Sequence, residues 1–138
     1  MGMYTEIYIN IDFKKNVSDD VIKTLEVICN RDLNKWQAEY DTKHPGRWIM
    51  LFNNGSYYTP STYCGQISYD KISQRYSLIG KGDIKNYNNE IEQFFEWILP
   101  YVDFASGYEK LFIGYMRYEE DVEPTLVYID VDGSLLYV

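Results

Sequence analysis

The chain has little histidine, little cysteine and no long apolar run, and each scarcity closes off a class of function. Among 138 residues there is one histidine, His44, in a loop-like stretch beside Pro45. A Ser–His–Asp or Cys–His mechanism would have to use it, and no G-x-S-x-G elbow accompanies it. The expectation is a solvated loop histidine with no catalytic part. Two cysteines, Cys29 and Cys64, are too few for a disulfide scaffold. With one histidine they also lack the spacing of a zinc site. Buried free thiols are expected, Cys29 on the apolar side of a helix and Cys64 at a strand start. No apolar run reaches the roughly 18–20 residues of a membrane span. No basic-then-apolar leader opens the chain. Met1-Gly2 ahead of Met3 reads as an appended start, with the domain running over residues 3–138. Glu6 stands where N-myristoylation requires Ser or Thr.

Basic residues are scarce in one region only. Residues 1–87 carry 11 Lys/Arg against 10 Asp/Glu, a net of +1. Residues 88–138 carry 2 against 11, a net of −9. Long nucleic acid is repelled by such a field, because duplex binding neutralises many phosphates. A small anion at a local basic patch, or a basic protein surface against the acidic third, remains open.

What is abundant is tyrosine, 15 residues of 138. Tyrosine buries a ring while its hydroxyl stays wet, which suits half-exposed strands and binding surfaces alike.

Periodicity sets the fold class. Ile7, Ile9, Ile11 and Phe13 alternate with Glu6, Tyr8, Asn10 and Asp12, as in a strand with one buried face. Ser18 is an expected N-cap, followed by Asp19 and Asp20 at the positive end of a helix dipole. Val21, Ile22, Leu25, Ile28 and Cys29 form the stripe of that helix, which ends near Asn30. Arg47 to Phe52 reads as a strand, turning at Asn53-Asn54-Gly55 into a partner at Ser56 to Thr59. Gly65 to Tyr69 and Tyr76 to Ile79 read as a strand pair, and Gly80-Lys81-Gly82-Asp83 as a loop or bulge. Ile91, Phe94, Phe95, Ile98, Leu99 and Val102 mark a second helix over about Asn89 to Tyr101, with Pro100 in its last turn. Leu111 to Tyr118 and Thr125 to Asp130 are strands, and Asp132-Gly133 turns into a short last strand, Leu135 to Val138. The expected fold is α+β, a two-layer sandwich of a largely antiparallel sheet packed on two α-helices, in the order β-α-β-β-β-β-α-β-β.

Four groupings carry possible chemistry. Asp130-Val131-Asp132-Gly133 has the outline of an aspartate phosphatase motif or of part of a calcium loop. It lies near the C-terminus and lacks the distal Glu, so a hairpin turn is its better reading. Gly80-Lys81-Gly82 offers backbone N–H groups and, with Lys85, two cations to a phosphate, or else marks a strand bulge. Glu119, Glu120, Asp121 and Glu123 place four carboxylates in five residues, either a solvated sheet edge or a docking site for a basic partner. Finally, Arg47, Trp48, Ser56, Tyr57, Tyr58, Arg75, Tyr76, Lys85, Tyr87, Arg117 and Tyr118 combine guanidinium forks with rings. Forks bind phosphate bidentately and rings stack on bases. The same residues would also serve as cross-strand packing.

Arg47-Trp48, Ser56-Tyr57-Tyr58, Asp70-Lys71-Ile72-Ser73, Lys85-Asn86-Tyr87, Glu90-Ile91-Glu92 and Trp97-Ile98-Leu99-Pro100-Tyr101 resemble a family of small acidic proteins of phages and prophages. Gly114-Tyr115-Met116-Arg117-Tyr118-Glu119-Glu120 and Pro124-Thr125-Leu126 resemble its C-terminal signature. The resemblance spans about Met3 to Tyr128, and the tail after Asp130 extends past the pattern. It implies a counter-defence setting in the cytoplasm of a bacterial host, with no catalytic residues to carry over. Two expectations follow. One is a non-catalytic protein, without cofactor or metal, that sequesters a nucleotide-type immune signal, as a homodimer if the pocket closes between subunits. There Arg47, Arg117 and Lys85 take phosphates, helped by Lys81 of the Gly-Lys-Gly loop, Trp48, Tyr57 or Tyr58 stacks on the base, and Ser56 and Tyr118 complete the ligand-binding set. The other is a protein–protein inhibitor of a defence effector, in the manner of an anti-CRISPR protein, acting through Glu119, Glu120, Asp121 and Glu123. A metal-dependent nuclease or phosphodiesterase has no spaced carboxylate motif to support it, and a structural or accessory phage role stays open.

Overall fold

The computed structural model describes residues 3–55, 63–104 and 109–138. Among these, six antiparallel strands form one sheet in the order β2-β3-β1-β4-β5-β6. They are β1 Thr5–Asp12, β2 Cys64–Asp70, β3 Arg75–Ile84, β4 Lys110–Tyr118, β5 Thr125–Asp130 and β6 Leu135–Tyr137. Three helices accompany them: α1 Asp19–Asn30, the one-turn α2 Leu33–Lys35 that continues as a π-turn over Trp36–Tyr40, and α3 Glu90–Ile98. The α+β, sheet-on-helix class is the one periodicity predicts. No helix among the described residues is long and apolar enough to cross a membrane.

Alternation in β1 decides which side of the sheet is covered. Ile7, Ile9, Ile11 and Phe13 are buried in one core with Val21, Leu25 and Ile28 of α1 and Ile91, Phe94, Phe95 and Ile98 of α3. Adjacent strands carry that side on through their register. Thr5 sits opposite both Ile84 and Tyr118, and Ile7 opposite Gly82 and Met116. Tyr118 and Met116 therefore face the helices, whereas Arg117, opposite Glu6, faces away.

The helix caps follow local chemistry. Ser18 Oγ accepts from the Asp20 N–H at 3.2 Å, as expected of an N-cap. At α3 the capping position is Asn89, in the left-handed region at φ 59°, and its side chain makes no cap bond. Asn86 takes that role from outside, its Oδ1 accepting from the Ile91 N–H at 2.8 Å. Pro100 lies in a 3-10 turn, Leu99–Tyr101, that closes the helix.

Two elements differ from expectation for one shared reason. Gly46–Met50 is a 3-10 helix, not a strand, and it runs on into buried Leu51 and Phe52. An almost unbroken apolar run has no period to separate strand from helix. Gly80-Lys81-Gly82 is the interior of β3, not a loop. A Cβ on Gly82 would lie 2.1 Å from the Leu51 carbonyl oxygen, and one on Gly80 2.5 Å from the Phe52 ring. The glycines admit the 3-10 segment against the sheet. Among the described residues the one shift in sheet register is instead in β4, between Phe112 and Gly114. The expected partner strand at Ser56 to Thr59 lies outside the described residues.

Cys29 and Cys64 are both free. Burial pushes the Cys29 thiol up to about 12. Cys64 opens β2 as expected but is exposed. The Asp132-Gly133 turn forms, with Gly133 at φ 87° and Asp132 Oδ1 accepting from the Ser134 N–H at 3.0 Å.

Candidate functional site

The expected ligand set is divided by the sheet. Arg47 belongs to the helix layer. It donates to Glu90 Oε2 at 2.5 Å, and its guanidinium stacks 5.2 Å from the centre of the Tyr87 ring. Glu90 is 3% exposed and also accepts from the Asn88 N–H at 2.8 Å. Burial pushes its carboxyl up, but the Arg47 and Asn88 hydrogen bonds outweigh that and hold it below its ordinary value. Arg117 lies on the other side of the sheet, its Nε donating to the Asp121 carbonyl at 3.3 Å. Lys81 is on that side too, 3.5 Å from Glu6. Arg47 and Arg117 therefore do not share a surface, which corrects the phosphate-clamp expectation. Trp48 is also corrected. It is 2% exposed, and its indole N–H donates to the Glu90 carbonyl at 3.0 Å, so no base can stack on it. Ser56, Tyr57 and Tyr58 lie outside the described residues.

His44 is half-buried rather than solvated. Its ring lies 5.0 Å from Trp48, 5.3 Å from Trp97 and 6.3 Å from Trp36. This apolar box holds the imidazole below its ordinary value by burial.

Several expected residues do converge, at the end of the sheet where β1 begins and β3 and β4 end. Lys85 stands 5.9 Å from the Tyr4 ring centre. The acidic turn is fastened to the same place. The Tyr4 N–H donates to Glu119 Oε2 at 3.2 Å, and the Glu119 N–H donates to the Tyr4 carbonyl at 3.1 Å. Two clefts of about 350 Å³ each open at this end. One is lined by Tyr4, Arg47, Met50, Asn54, Ile84 and Lys85. The other is lined by Thr5, Tyr87, Met116, Tyr118, Asp121 and Thr125, among others. Thr5, Met116 and Thr125 carry no signal in the sequence, because strand register alone brings them together.

Compared with known family models, with curated proteins and with solved structures, the chain finds no match.

In the turn from β4 to β5 three neighbouring carboxylates go unanswered together. Glu120, Asp121 and Glu123 are exposed, and among the described residues no Lys or Arg nitrogen stands within 4.0 Å of their carboxylates. Between them Val122 is 98% exposed. Burial, then Glu120 and Glu119, hold the Tyr118 hydroxyl above its ordinary value, so this ring stays neutral beside the turn.

Proposed function

We propose that this protein is a non-catalytic docking protein that occupies a basic site on another protein, with the β4–β5 turn as its contact. In the phage setting that the resemblance implies, the partner is a defence effector and the outcome is inhibition. The observation that carries this reading is the unpaired trio Glu120, Asp121 and Glu123 around a fully exposed Val122. Carboxylates without internal partners attract a basic surface over distance, and an apolar residue in their midst gives that surface something to bury. Cross-linking in infected cells identifies the partner, and stopped-flow association then tests the contact. Changing Glu120, Asp121 and Glu123 to Lys should slow association about tenfold or more and flatten its salt dependence. An unchanged association rate overturns the reading.

One observation favours the sequestration reading as an alternative: Arg47, Lys85, Tyr87 and Tyr118 gather around the two clefts at one end of the sheet. Calorimetry against cyclic di- and trinucleotides and cyclic ADP-ribose isomers tests it. Heat of binding lost in Lys85→Ala supports it, and no heat at micromolar protein counts against it.

A further inference from the structure

The cleft beside the acidic turn has a composition that selects its occupant. Its volume, about 350 Å³, is near the lower limit for small-ligand sites and suits one inserted side chain. The Tyr87 and Tyr118 rings supply π-faces, and the Met3 and Met116 thioethers supply an apolar lining. Thr5 adds a hydroxyl, and Asp121 contributes the one carboxylate. A guanidinium uses all of these together: its plane stacks on tyrosine, its fork meets a carboxylate, and its stem lies along apolar surface. Tyr87 already takes a guanidinium of the protein's own, since Arg47 stacks on it while lying outside this cleft's lining. A phosphate would meet Asp121 with no cation in the lining to offset it.

From this lining we infer that the cleft is a receptor for an arginine side chain presented by a protein partner. The inference rests on the docking reading and deepens it: the turn attracts a basic segment, and the cleft seats one arginine of it. Val122 and the outer carboxylates lie beside that seat.

The test uses the full chain with methyl-labelled methionine and two probes, acetyl-arginine methylamide and its citrulline counterpart, which keeps the shape and loses the charge. The Met3 and Met116 signals should move saturably with the arginine probe, while Met50, in the neighbouring cleft, stays still. Citrulline should bind about fivefold more weakly or worse. Tyr118→Ala should abolish the response. Asp121→Asn, an exposed change that leaves the core intact, should weaken it about threefold or more even if Tyr118→Ala fails to fold. Equal responses to arginine and citrulline, or none, overturn the inference. A tetra-arginine peptide, followed by anisotropy, separates the two readings. If Glu120→Lys with Glu123→Lys weakens the peptide while Met116 is unmoved, the cleft falls and the docking turn stands. If Met116 moves but the double change has no effect on the peptide, the cleft stands and the docking turn falls.

Discussion

Glu90 and the trio Glu120, Asp121 and Glu123 are carboxylates of one acidic third with opposite fates. Glu90 is buried at the start of α3 and answered by Arg47 and the Asn88 N–H. The trio is exposed and answered by nothing among the described residues. The first arrangement consumes a guanidinium within the fold, and in doing so ties the 3-10 segment to α3. The second contributes little to the fold and leaves charge for a partner. Net charge alone does not reveal this; what separates the two is which carboxylates the fold has already paired.

The largest effect should come from the platform on which Arg47 stands. Gly82→Ala sets a Cβ against the Leu51 backbone and should cost about 3 kcal/mol or more in urea unfolding. Ile79→Thr, an exposed position on the other side of the same strand, should cost about 1 kcal/mol or less. Similar losses from both would mean that the 3-10 segment does not rest on β3. Next in size, Glu90→Ala strands Arg47 and should cost about 2 kcal/mol. Because the Glu90 carboxyl is held below its ordinary 4.5, the unfolded chain takes up the proton first. Its stabilisation is complete above about pH 4.5 and fades as acid titrates the folded carboxyl, so Glu90→Gln should flatten the acid limb of the melting profile.

A smaller effect belongs to His44. The imidazole is held below its ordinary 6.5, so the unfolded chain again binds the proton more readily. Stability should decline as pH falls below 6.5 and level off beneath the folded value, where protonation of the folded imidazole should quench tryptophan emission. Replacing His44 with Phe should remove both responses, and unaltered emission would show the box to be open. The smallest change in stability is expected at the turn. Glu120→Gln with Asp121→Asn and Glu123→Gln should shift unfolding by no more than about 0.5 kcal/mol. A larger loss would erase the contrast with Glu90.

How much of this the sequence disclosed depends on period. Strand β1 and helices α1 and α3 show a repeat of two or near 3.6, strands β4 to β6 are marked off by the turns between them, and the molecule has them there. Arg47 to Phe52 has no repeat, so its helical form was hidden, and with it the side of the sheet on which Arg47 stands. Arg117 is not its companion, because register, which sends alternate residues of β4 to opposite sides, is set by pairing with β1 and not by β4 alone. The acidic turn was legible from composition. The cleft next to it was not, since Thr5, Met116 and Thr125 come from three strands.

The bare stretch of β3 works as a keyway. The Leu51 carbonyl and the Phe52 ring sit over Gly82 and Gly80, and the next inward positions on either side are Leu78 and Ile84. Sliding the helical layer along the strand by one notch would drive a carbonyl or a ring into one of those side chains. Slippage between layers is thereby blocked without a covalent tie.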